Sequence, residues 1–89
     1  MMKAVWKFRV GWSIGDEIRI EFPINAEIVR FALQDNEPTL WALVDPVAPR
    51  EFRTFVFVGT GWETEGKYIG TVERNHYVWH LFEGRRGGI

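Results

Sequence analysis

The sequence predicts an all-β fold: a small, single-domain antiparallel β-sandwich or partly open barrel of about seven strands. Three observations predict it. Apolar and polar residues alternate with a period of two through most of the chain. Gly, Pro, Asn and Asp cluster between the alternating segments. No stretch carries a helical repeat long enough to stand alone.

The elements follow in order. In Lys3 to Val10, Ala4, Trp6, Phe8 and Val10 share one face, and Lys3, Val5, Lys7 and Arg9 the other. "GWSIGD" supplies two glycines for a turn. Glu17 to Phe22 sets Ile18, Ile20 and Phe22 against Glu17, Arg19 and Glu21, and Pro23 ends it. Ile28 to Gln34 is a third strand, with Val29, Phe31 and Leu33 on one side. Asn25 to Arg30 has a capping residue and helix formers, but is long enough for one helical turn at most. "DNEP" is a turn by composition. Thr39 to Val44 is apolar on both faces and therefore central. "DPVAPR" is a loop, because its prolines fix φ and remove donors. Phe52 to Val58 ends in "FVFV", which predicts burial on both faces. Lys67 to Glu73 and His76 to Glu83 complete the set. The domain is expected to span 1–83, with 84–89 as a flexible tail.

Composition bounds the function. The 89 residues fit one domain with a modest core. Five Trp, seven Phe and two Tyr exceed what so small a core hides, so some rings are expected in a groove or a subunit contact. A formal net charge of -1 argues against a domain that holds duplex nucleic acid. There is no cysteine, hence no disulfide framework and no thiolate metal site. No apolar run reaches the roughly 18 residues of a membrane helix. "MMKAVWKFRV" lacks the apolar core of a signal peptide, so a soluble cytoplasmic protein is expected.

No catalytic constellation is expected either. Ser13 is the only serine and has no nucleophile motif around it. His76 and His80 are four apart; on a strand that separates them by about 13 Å, too far to share one metal ion. Glu63 and Glu65 read as a solvated loop pair. No cofactor is implied.

The loop "VGTGWETEG" carries three glycines but lacks the spacing of a phosphate-binding loop, and a strand follows it instead of a helix. Two readings stay open. It is a β connection whose glycines permit positive φ, or its amides form an anion-binding concavity. On the second reading Trp12 and Trp62 stack on a base, and Arg53, Lys67 and Arg74 meet phosphate. Gly59 and Gly61 then donate backbone amides. Basic groups at Lys3, Lys7 and Arg9, at Arg50 and Arg53, and at Arg85 and Arg86 make a small-anion site if two of them converge beside an aromatic.

"LWALVDPVAPREFRTFVFVGTG", "KYIGTV" and "VWHLFE" resemble a family of small phage-encoded proteins of about this length, known only as a domain of unknown function. The likeness runs from Met2 to Glu83 and is most specific from Leu40 to Gly61. Relatives in that family often carry His-Pro where this chain has Trp62-Glu63, so the loop tip varies. The resemblance supplies no catalytic residues. It implies a phage accessory protein, and by analogy of size and composition a homo-oligomeric sponge for a small anionic nucleotide signal. A module that binds a host or phage protein is the alternative, and a nucleotide-degrading enzyme a third reading.

Overall fold

The computed structural model describes residues 2–84. Among these lie seven strands and no helix: β1 (Ala4–Arg9), β2 (Ile18–Pro23), β3 (Glu27–Gln34), β4 (Glu37–Val44), β5 (Arg50–Gly59), β6 (Lys67–Arg74) and β7 (Tyr77–Glu83). They form two antiparallel sheets, ordered β1-β4-β3 and β2-β5-β7-β6. The arrangement is a sandwich, as the alternation requires: each strand has one apolar face, and the two faces bury each other.

Leu40, Ala42 and Val44 of the three-stranded sheet are buried against Phe22, Phe55, Phe57 and Leu81 of the four-stranded one. Ring contacts tie the layers together, with Phe8 and Phe22 centroids 4.3 Å apart and Phe31 and Phe57 centroids 6.1 Å apart. Burying each such ring stabilises the fold by about 1.5–3 kcal/mol. β4 is central in its sheet, as its two apolar faces predict, and β5 lies between β2 and β7.

The elements differ from the sequence reading at a few positions. Glu37 and Pro38 belong to β4, because the hairpin needs only Asp35 and Asn36, at φ 52° and 65°, to turn. Pro38 is tolerated in this central strand because its carbonyl faces β1, where it accepts from the Val10 amide. Its missing N–H faces the same way, just past the end of β1 at Arg9. His76 sits in the matching Asn75-His76 turn at φ 51° and 70°, outside β7. The segment from Asn25 holds no helical turn; Asn25 is a turn residue at φ 64°.

Two bulges shift the strand alternation. The register slips at Val29, between Ile28 and Arg30, and at Ile69, between Tyr68 and Gly70. Val29 is therefore 51% exposed rather than sharing the core face with Phe31 and Leu33. The slip in β6 brings Gly70 onto the core face, where Phe31 of β3 packs so closely that a Cβ would lie 2.8 Å from its ring.

β5 and β6 both pair antiparallel with β7, which lies between them. They run parallel, so residues 60–66 carry the chain back along the length of β7. "VGTGWETEG" is thus a crossover. Gly66 at φ 102° closes it, where a Cβ would strike the Glu83 carbonyl oxygen. Gly84, the first residue of the expected tail, donates its amide to the Thr54 carbonyl at 2.7 Å. The rest of that tail lies outside the described residues, as do Arg85 and Arg86.

Candidate functional site

Five of the seven residues singled out in the sequence, Trp12, Gly59, Gly61, Trp62 and Arg74, lie at one end of the sandwich. Towards this end of β6 and β7 the core-facing residues are Val72 and Arg74, and Leu81, Trp79 and Tyr77. Exposure rises along this series, to 67% at Tyr77 beside the hairpin turn. Arg74 projects over Trp12 of the β1–β2 loop, its guanidinium carbon 4.7 Å from the ring centroid. Trp12 also stacks on Phe57 at 5.6 Å and donates its indole N–H to the Asn36 carbonyl at 2.9 Å. Such a cation–ring contact is worth about 0.5–1 kcal/mol at an exposed position.

Trp62 comes to the same end from the crossover. Its amide bonds the Gly59 carbonyl at 3.1 Å, closing a turn through Gly61 at φ 93°. Its indole covers Gly59, where a Cβ would lie 3.0 Å from the ring. The ring is half exposed and meets Trp79 edge-on, with centroids 5.8 Å apart. Tyr77 continues the series 6.2 Å from Trp79. The concavity between Trp62, Trp79, Tyr77 and Thr60 measures about 430 Å³, within the range of small-ligand sites. Gly59 is buried beneath Trp62, so it makes room for a ring more than it offers an amide.

Arg53 and Lys67 lie elsewhere, at a polar cleft of about 470 Å³ between the start of β3 and the start of β6. Arg53 alternates with Phe55 and Phe57 and so points inward, where it is buried. Its Nε and one terminal nitrogen donate to the two Glu83 carboxylate oxygens at 2.6 and 2.9 Å, and the other donates to the Ala26 carbonyl at 2.7 Å. The pair ties β5, β7 and the turn before β3 together. The fork geometry that suits phosphate is here turned on a carboxylate of the protein itself.

The two histidines are apart in role as well as place. His76 is exposed in its turn. His80 is hydrogen-bonded to Thr60 Oγ1 through Nε2 and to Thr71 Oγ1 through Nδ1, both at 2.9 Å. That bridge fastens the crossover to the outer surface of the four-stranded sheet. Among the described residues no three His, Cys, Asp or Glu side chains gather to hold a metal ion.

One arrangement has no mark in the sequence. Among the described residues only Arg53 pairs with a carboxylate within 4 Å. The other arginines lie over rings instead: Arg19 on Phe52, Arg30 on Trp41, Arg50 on Trp6 and Arg74 on Trp12. Of the arginines among the described residues, only Arg9 has no such ring. Arg30 alternates with the inward-facing Phe31 and so takes the outer face, where the strand pairing sets it opposite Trp41. That pairing is a long-range property with no local mark in the chain.

A thin all-β sandwich with an arginine-topped aromatic end is the class that fold and geometry define. The chain belongs to the domain of unknown function DUF7352, whose family model matches residues 1–88. No curated protein and no solved structure matches it. No helix among the described residues is long and apolar enough to cross a membrane.

Proposed function

We propose that this chain is a non-enzymatic binding protein that sequesters a small anionic nucleotide at its aromatic end. The carrying observation is the meeting there of Trp12, Gly59, Trp62 and Arg74, with Tyr77 and Trp79 added. A base stacks among Trp62, Trp79 and Tyr77, which needs a π-face and no particular base edge. Arg74 meets phosphate with donors that no carboxylate among the described residues occupies. As in the phage-encoded proteins that the sequence resembles, the role is that of an accessory protein, here one that withholds a nucleotide immune signal in the host cytoplasm. A homo-oligomer places two such ends, half-open in one chain, around each ligand.

Equilibrium dialysis against a panel of mono-, di- and cyclic oligonucleotides tests the reading. Trp62→Ala should weaken binding by about 1–3 kcal/mol, and Arg74→Ala by about 1.5–3 kcal/mol, both without loss of fold. Equal affinity in both variants would overturn the site. The same exposed rings suit a protein partner. A stoichiometric partner recovered together with no retained nucleotide would favour that second reading.

A further inference from the structure

The outer face of the β1-β4-β3 sheet carries a row of three side chains, one on each strand. Lys7 on β1 and Arg30 on β3 both stand directly opposite Trp41 on β4. The Arg30 guanidinium carbon lies 5.4 Å from the Trp41 ring centroid. Lys7 Nζ donates to Gln34 Oε1 at 2.8 Å, which draws the ammonium from β1 across β4. Arg9, two residues along β1 and about 7 Å from Lys7, adds a third cation to the same face. None of the three has a carboxylate within 4 Å among the described residues. Like charges gathered round one ring repel, so packing alone does not account for them. The acids of this face stand at its two ends, Glu27 opposite Leu43 and Glu37 opposite Gln34.

From this geometry we infer that the Lys7–Trp41–Arg30 row binds a short single-stranded oligonucleotide of two or three nucleotides, linear or cyclic. A base stacks on Trp41 or on the guanidinium plane above it, and the phosphates meet Lys7, Arg9 and Arg30. The acidic ends repel any strand that continues past the centre, which limits the length. The flat, short positive zone does not suit a duplex. The surface is separate from the aromatic end and does not depend on it.

The test titrates isotope-labelled protein with 5′-phosphorylated trithymidylate and, in a second arm, with a cyclic dinucleotide, following backbone amide shifts. The expected shifts centre on Lys7, Arg30 and Trp41. For three phosphates the logarithm of affinity should fall with the logarithm of salt at a slope of about -2, and for two at about -1.4. Lys7→Ala and Arg30→Ala should each reduce the slope by about 0.7. Trp41→Ala should weaken binding roughly five- to hundredfold, while Trp41→Phe keeps most of it and controls for folding. Trp62→Ala should leave these shifts unchanged, which separates this site from the aromatic end. Shifts confined to Trp62, Tyr77 and Trp79 would overturn the inference. So would native affinity in Lys7→Ala and Arg30→Ala, or no binding of either probe at millimolar concentration.

Discussion

Arg53 enters the sandwich on the same face as Phe55 and Phe57, a position where a lone cation is costly. Glu83 removes that cost by taking two of its N–H groups, and the Ala26 carbonyl takes another. Arg53→Ala strips the guanidinium from a buried carboxylate and should lower stability by about 3–5 kcal/mol, read as a reduced denaturant midpoint. In the sequence Arg53 looks like a phosphate contact because Glu83 stands thirty residues away, and nothing local announces the pair. Gly59 makes the opposite case. Gly59→Ala pushes a Cβ against the Trp62 ring, a side chain that can move aside. The expected outcome is a shifted tryptophan emission with the fold intact. A lost melting transition would show that Trp62 is fixed in place.

At the scale of the element, alternation carried most of the fold. Ile18, Ile20 and Phe22 against Arg19 and Glu21 mark β2 without ambiguity, and its burial pattern repeats that alternation. Boundaries failed where chemistry outran composition: "DNEP" holds three turn-forming residues, yet a two-residue hairpin uses only Asp35 and Asn36. Bulges were invisible for a different reason. One extra residue changes which face every later side chain takes, and only pairing with a neighbour reveals it. The partner of Arg30 is hidden in the same way, since only the β3–β4 register sets it opposite Trp41. The β6 bulge also sets up a stability test. Gly70→Ala places a methyl 2.8 Å from the Phe31 ring, where β6 packs against β3. It should cost about 1–3 kcal/mol through overpacking. Gly66→Ala, at φ 102° and against a backbone carbonyl that cannot swing away, should cost a similar amount or more.

For the whole molecule, charge and shape point the same way. The net charge is near zero, yet Arg19, Arg30, Arg50 and Arg74 are held over rings, with no carboxylate within 4 Å among the described residues, so local positive sites exist without a global field. The candidate site was half legible for the same reason. Surplus aromatics announced that rings would be exposed, and Trp12, Trp62 and Arg74 do collect at one end. The register that adds Tyr77 and Trp79, and that sends Arg53 and Lys67 to a different cleft, is a long-range property of the two sheets. A homo-oligomer should appear in solution as a multiple of the 10.4 kDa chain by light scattering. The account rests most heavily on sequestration without chemistry. The direct test incubates the protein with a nucleotide panel, filters it, heats the retained fraction and identifies what is released. The account predicts depletion of one nucleotide class and its recovery unaltered, with both effects lost in Trp62→Ala. No depletion at micromolar protein, or release of a cleaved product, would contradict it.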